Sequence, residues 1–115
     1  DEEGAEPPPF VVVWVTAPGP ESQSLASKLV EGGLAACVNI VPSVQSVYTW
    51  NGKTEVEEEA LLMVKTRAAL LPELTEFVKS EHSYEVPETI AASIVGGSAA
   101  YLDWLKASTR SEKGE

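Results

Sequence analysis

The segment SEHSYEVPE, residues 80–88, holds the side chains of this sequence that are best suited to binding a metal ion. In it, His82, the single histidine of the chain, has the carboxylates Glu81 and Glu85 as near neighbours. An imidazole and nearby carboxylates can bind a borderline divalent cation, so the pattern predicts His82, Glu81 and Glu85 as metal ligands. The residue types also fit a structural role, because a histidine at the end of a helix can bind its last carbonyl groups.

Two shorter patterns could also bind ions, and each has a simpler structural explanation. The three consecutive glutamates at residues 57–59 cannot surround one ion, because neighbouring side chains of a strand point to opposite faces. A solvated charge run that protects a strand edge explains them better. The sequence GGS at residues 96–98 could hold an anion before a helix, but a plain turn between a strand and a helix is the favoured interpretation.

Catalysis has little support in the sequence. It contains no G-x-S-x-G, P-loop, H-E-x-x-H or C-x-x-C motif, and no nucleophile and base suggest themselves as a pair. The only cysteine, Cys37, lies in the apolar run LAACVNIV, which predicts a buried structural thiol and excludes an intramolecular disulfide. The sequence therefore predicts a protein that is not an enzyme, with no catalytic residues.

The charge balance narrows the classes of partner. With 18 acidic and 8 basic residues, the chain has a formal net charge of −10. Nucleic acids and anionic lipids would meet repulsion, so neither is expected as a general partner. The longest apolar runs, FVVVWV and ALLMV, fall far short of the ~18 residues of a transmembrane helix, so no membrane span is predicted.

The elements that must position these residues alternate between strands and helices. FVVVWVTA, residues 10–17, is apolar on both faces and rich in β-branched residues, which is typical of a central strand. Helices are predicted over residues 21–31, from an apolar stripe that ends at two glycines, and from Leu71 onward. A short strand over residues 88–95 and a last helix capped by Ser98 follow.

Between the first two helices lies a long hairpin, with two strands around Asn51-Gly52, a pair that favours a type I′ turn. Pro42 predicts a bend or bulge in its first strand. The order β-α-β-β-α-β with right-handed crossovers predicts an α+β, ferredoxin-like antiparallel sheet with an extra C-terminal helix. We predict one domain over residues 10–110, between a disordered, acidic and proline-rich tail over residues 1–9 and a flexible tail over residues 111–115.

Four segments in succession resemble one known family. They are LAACVNIVPSVQSVYTWNGK, LLMVKT, HSYEVPETIA and GGSAAYLDWL, and they look like the signatures of the CutA divalent-cation tolerance proteins, most of all the plant members. The resemblance implies a ferredoxin-like homotrimer associated with copper(II) and other divalent cations. It also implies import into the chloroplast, which would fit a mature chain without its transit peptide, with the cytoplasm as the alternative.

Three positions depart from the pattern of that family. Val15 stands where some bacterial members carry a cysteine, Glu81 where some carry a further histidine, and Ser83 where a proline is usual. The first two departures remove soft or imidazole ligands. What the resemblance leaves is His82 with its carboxylates, and we expect copper(II) to bind there with modest affinity.

The hairpin gives a physical reason for a trimer. A hairpin longer than its own sheet exposes backbone edges and apolar side chains, among them Tyr48 and Trp50. Three copies can cover these groups by pairing each hairpin with strands of a neighbour. Two other functions remain open: a trimer like the PII signalling proteins, which would bind a nucleotide or small anion between subunits through Lys53, Lys65 and Arg67, and a scaffold that docks another protein.

Overall fold

The computed structural model describes residues 9–111, which form four strands and three α-helices. In chain order they are β1 (Phe10–Ala17), α1 (Gly19–Glu31), β2 (Cys37–Trp50), β3 (Lys53–Arg67), α2 (Leu71–Glu81), β4 (Thr89–Ser93) and α3 (Ala99–Ala107), with a 3-10 turn at Ala68–Leu70. The predicted fold class and element order are confirmed. Two elements differ in their bounds from the sequence prediction, since α1 begins two residues earlier and β4 is shorter at both ends.

The sheet has the strand order β2-β3-β1-β4, and every neighbouring pair is antiparallel. Alternate side chains of β1 and β3 meet on one face, where Val13 lies opposite Val64 and Val15 opposite Leu62. Helices α1 and α2 cover that face and contribute Leu29 and Leu74 to the same core. These side chains are fully buried, so the hydrophobic effect fixes the register of the two central strands.

The opposite face of the sheet is only partly covered by helix α3, which packs against β3. Ser98 caps this helix, as predicted, by accepting a hydrogen bond from the Tyr101 backbone amide at 3.3 Å. Cys37 lies on this face, because its cross-strand neighbour is Lys65 rather than a core residue. The prediction of a buried thiol is therefore wrong: Cys37 is half-buried on an edge strand.

The hairpin extends well beyond the sheet. Its pairing shifts between Val41 and Val44, which confirms the irregularity predicted at Pro42, and then continues to the turn at Asn51-Gly52. Both turn residues have positive φ, 51° and 77°, as a type I′ turn requires. We call residues 44–59 the arm. Its strands pair only with each other, so most of its side chains are exposed.

The C-terminal end of the described chain is fastened to the loop after α1. Arg110 donates hydrogen bonds from its backbone amide to the Gly33 carbonyl at 2.9 Å and from Nε to the Gly32 carbonyl at 3.0 Å. Its guanidinium also forms an ion pair with Glu73 at 2.6 Å. Gly33 has φ 74°, and a Cβ there would come within 3.1 Å of the Arg110 side chain.

The two predicted tails fall almost entirely outside the described residues. Of the N-terminal tail only Pro9 is described, and its carbonyl accepts a hydrogen bond from the Ala68 amide at 2.7 Å. Of the C-terminal tail only Ser111 is described. Within residues 9–111, the helices are too short or too polar to cross a membrane.

Candidate functional site

His82 stands at the junction between helix α2 and the loop that leads to β4. It is the C-terminal cap of α2, with an extended backbone (φ −85°, ψ 146°), and its amide donates to the Val78 carbonyl. Because the chain leaves the helix in this extended conformation, the imidazole turns inward and only 8% of the residue is exposed. The single imidazole of the chain is therefore buried against the sheet.

Both ring nitrogens of His82 make hydrogen bonds to the backbone. Nδ1 accepts from the Tyr84 amide at 3.0 Å, and Nε2 lies 2.7 Å from the carbonyl oxygen of Thr16 in β1. A carbonyl can only accept, so Nε2 carries the proton, and a backbone amide can only donate, so Nδ1 is unprotonated. The contacts therefore define a neutral ring in the Nε2–H tautomer.

Tyr84 continues this set of contacts toward the arm. Its ring lies 4.7 Å from the imidazole, centroid to centroid, and its hydroxyl donates to Glu59 at 3.2 Å. Glu59 is only 6% exposed, so the expectation of a solvated charge run at residues 57–59 is wrong for Glu59. Burial and the neighbouring Glu59 carboxylate raise the pKa of Tyr84 to about 12.

The two predicted carboxylate ligands point elsewhere. Glu81 forms an ion pair with Lys28 of α1 at 2.9 Å, and Glu85 is exposed on the loop after α2. Across residues 9–111, the His, Cys, Asp and Glu side chains form no group of three or more that could hold a metal ion. The predicted ligands are thus neighbours in sequence, but the structure does not bring them together as a preformed site.

A second tyrosine and carboxylate pair lies on the arm itself. The Tyr48 hydroxyl donates to Glu57 at 2.8 Å, and this hydrogen bond is the main reason that the pKa of Tyr48 is raised to about 12. Glu57 and Tyr48 also act electrostatically on Tyr84. Two neutral tyrosines and the carboxylates of Glu57 and Glu59 therefore form one polar cluster at the base of the arm.

The contacts that join Thr16, Tyr84 and Glu59 to this region escaped the sequence analysis, which treated residues 57–59 and the segment 80–88 separately. Thr16, Tyr84 and Glu59 come from β1, the loop after α2 and β3, and their side chains or carbonyls meet only in the folded sheet. The one available signal was the spacing His82-x-Tyr84, which places the amide of the second residue within reach of the first ring. The partners Thr16 and Glu59 have no comparable local signature.

The basic residues proposed for an anion site are also spread apart. Lys53 lies beside the turn, opposite Trp50, and Lys65 lies opposite Cys37, about 40 Å further along β3. Arg67 donates to Thr109 at 3.0 Å and to the Arg110 carbonyl. Within one subunit, the three side chains do not form a single cationic pocket.

Comparison with known proteins connects this fold to one family. Residues 11–108 match the model of the family described as CutA1 divalent ion tolerance protein. The chain is 53% identical, over 95% of its length, to the Arabidopsis thaliana protein named "Protein CutA, chloroplastic", of which it covers 60%. It is 48% identical, over 85% of its length, to the Thermus thermophilus "Divalent-cation tolerance protein CutA", of which it covers 96%.

Solved structures agree with the sequence comparison. The crystal structure of CutA1 from Oryza sativa superimposes with a TM-score of 0.87 at 51% identity, covering 90% of this chain and 96% of that one. The chain nevertheless spans only about three-fifths of the curated Arabidopsis and Oryza sativa relatives, 60% and 58% of their lengths. The described fold therefore corresponds to one part of those longer plant proteins.

Proposed function

Since the chain belongs to the CutA1 divalent ion tolerance protein family, we propose that it is a trimeric, non-enzymatic protein that binds divalent cations, copper(II) foremost, in metal tolerance or homeostasis. The observation that carries this proposal is the family match over residues 11–108, which includes nearly all of the described fold. Copper(II) is the preferred ion because it stands at the top of the divalent series for nitrogen and oxygen ligands.

The exposed side chains of the arm support the trimer. Val47 and Val56 lie directly opposite each other and are 63% and 59% exposed, and Trp50 is 62% exposed beside the turn. Further exposed apolar residues lie near β4, including Ile90 on the strand and Val95 just beyond it. Apolar patches of this kind mark interaction surfaces, and copies of the chain that exchange arms would cover them.

The location of the bound cation is a separate question from the function. His82, Glu81 and Glu85 stay a prediction, and as folded they do not fit a metal ion, because both imidazole nitrogens and the Glu81 carboxylate already have partners. A cation at this ring must displace a hydrogen bond, which agrees with the modest affinity expected from the sequence.

Calorimetric titration tests the proposal. Purified protein is titrated in parallel with copper(II), zinc(II), manganese(II), ATP and sulfate, while light scattering follows its mass. We expect saturable binding of copper(II) that is tighter than that of zinc or manganese, by a species with three times the mass of the chain. Binding should weaken on acidification, since nitrogen and carboxylate ligands must be deprotonated to coordinate.

One variant and one unfolded sample serve as controls for the titration. Cys37→Ser removes the only thiol and should leave copper binding unchanged, because Cys37 lies opposite Lys65, six residues along β3 from Glu59. Heat-unfolded protein shows how much copper(II) the side chains bind without the fold. Absence of saturable copper binding by the native protein would overturn the proposed function, and tight ATP binding would favour the PII-like alternative.

We further propose that the protein acts in the chloroplast. The support is that similar proteins of Arabidopsis thaliana and Oryza sativa both carry the word chloroplastic in their names. A fusion of the full-length protein to a fluorescent reporter, expressed in leaf cells, should coincide with chlorophyll fluorescence. A diffuse cytoplasmic signal would contradict the assignment.

A further inference from the structure

The contacts of His82 and Tyr84 run without a break from helix α2 to the arm. We propose that residues 82–84, here called the strap, tie the end of α2 to strand β1 and to the base of the arm, with His82 as a structural pin rather than a metal ligand. Three hydrogen bonds make up the strap: Nε2 of His82 to the Thr16 carbonyl, the Tyr84 amide to Nδ1, and the Tyr84 hydroxyl to Glu59.

The electron pairs of the imidazole explain why it acts as a pin. A neutral imidazole has one basic lone pair, and in the Nε2–H tautomer that pair is on Nδ1. In this structure it already accepts the Tyr84 amide, while the Nε2 proton is used on Thr16. A cation would have to break one of these bonds. Either the Tyr84 amide or the Thr16 carbonyl would then lose its partner next to a side chain that is only 8% exposed, which is costly.

The strap reaches the arm where β3 leaves the sheet. Thr16 lies opposite Leu61, one of the last residues of β3 that still pair with β1. Glu59, two residues further out, is the first carboxylate of the arm and is almost fully buried beneath Tyr84. The strap therefore contacts both sides of the point at which the arm begins, and it can set how firmly the arm is held.

Three variants separate the shape of the His82 ring from the hydrogen bonds of the strap. His82→Phe keeps a planar ring beside Tyr84 and removes both nitrogens, His82→Asn restores an acceptor close to the position of Nδ1, and Tyr84→Phe removes only the bond to Glu59. Glu81→Gln is the matched control, because it alters the adjacent residue and its ion pair with Lys28 without touching the strap.

Hydrogen exchange measured by mass spectrometry or NMR reports on the strap and the arm. We expect the Tyr84 amide to exchange about tenfold faster in His82→Phe, with partial recovery in His82→Asn, as the loss and return of one hydrogen bond predict. Tyr84→Phe should speed exchange at residues 55–61 while leaving the Tyr84 amide protected. Unchanged exchange in both His82→Phe and Tyr84→Phe, relative to Glu81→Gln, would overturn the strap.

Whether His82 binds a metal ion can be measured separately by NMR. The chain has a single histidine, so its ring signals need no assignment. Protein labelled with ¹⁵N-histidine should show the Nε2–H tautomer, and the ring signals should stay in place with one equivalent of zinc(II). Replacement of this pattern by a metal-bound imidazole would overturn the role of His82 as a pin. The strap does not depend on the proposed function: a protein that binds no copper would refute that function while the exchange results still decided the strap.

Discussion

Strand β3 passes through two environments along its length. From Ala60 to Arg67 it pairs with β1, and from Leu61 to Lys65 it also pairs with β2. Alternate side chains here, including Leu62 and Val64, are fully buried. From Lys53 to Glu59 the same strand pairs with β2 alone, and Val56 is 59% exposed. The backbone hydrogen bonds to β2 continue through both halves, so what separates them is the presence of β1 and the helices.

This difference shows that strand pairing and side-chain burial contribute to stability independently. A two-stranded ribbon satisfies its inner backbone groups but cannot bury its side chains, and hairpins of this kind are marginal in water without further packing. The inner half obtains that packing from its own chain. The outer half has apolar residues on both faces and, in the proposed trimer, would obtain its packing from neighbouring copies.

The largest effect should come from removing the outer half. Replacing residues 47–54 with a glycine and serine segment deletes the apolar tip of the arm and its type I′ turn. We expect loss of the trimer together with a lower melting temperature, because association and folding free energy are linked. Light scattering and scanning calorimetry measure the two effects. An intact trimer with an unchanged melting temperature would show that the arm does not contribute to assembly.

A matched pair of substitutions compares the two halves directly. Leu62→Ala in the inner half should lower the free energy of unfolding by about 2–5 kcal/mol, because it opens a cavity in a fully packed core. Val56→Ala should cost about 0.5 kcal/mol in the dissociated chain, as for a surface position. Urea unfolding at several protein concentrations checks this. The Val56→Ala cost should rise with concentration if another copy covers the arm, and the Leu62→Ala cost should not.

Two glycines with positive φ allow a finer comparison. Alanine in the left-handed region costs about 1–2 kcal/mol from backbone strain. At the tip of the arm, Gly52→Ala should cost no more than this, since a Cβ there has nothing within 4 Å. Gly33→Ala should cost more, because its Cβ would also press on Arg110 at 3.1 Å. Equal losses of unfolding free energy, measured with urea, would mean that the Arg110 side chain moves aside without cost.

The smallest effect concerns the tyrosine hydroxyls of the arm base. Glu57→Gln should bring the pKa of Tyr48 down from about 12 toward its ordinary value of 10, because the hydrogen bond to the carboxylate is the largest cause of the shift. A pKa raised on folding favours the folded state below pH 10, and that contribution is lost as pH rises toward 12. Ultraviolet titration of phenolate follows the change, with Tyr84 as the internal reference whose pKa should fall much less.

Much of the fold could be predicted because its signals are local. The β-branched run of β1, the Asn51-Gly52 turn and the helix start at Leu71 each depend on a few adjacent residues, and all three agree with the structure. The irregularity near Pro42 follows in the same way from a missing backbone donor. Where the backbone chemistry of one segment decides the outcome, the sequence is sufficient.

The candidate site could not be predicted to the same extent, because it depends on contacts between distant segments. His82 and Thr16 are 66 residues apart in sequence, and nothing near either residue indicates the other. The burial of Glu59 and the partial exposure of Cys37 depend on which strand lies at the edge and which loop covers it. Residue types correctly singled out the neighbourhood of His82 but could not show that its nitrogens are already engaged.

The strand order has a consequence for how the chain is made. Strand β1 lies between β3 and β4, so both of its partners are synthesised after it, and Val11 must wait for Ser93. At about 5–20 residues per second, a ribosome needs on the order of 4–16 s to supply that last partner. Until β3 is made, FVVVWV has no strand partner, and it is then an uncharged segment of the kind that aggregates. Slow translation without a chaperone should therefore reduce the soluble yield far more than the stability of the finished sheet would suggest.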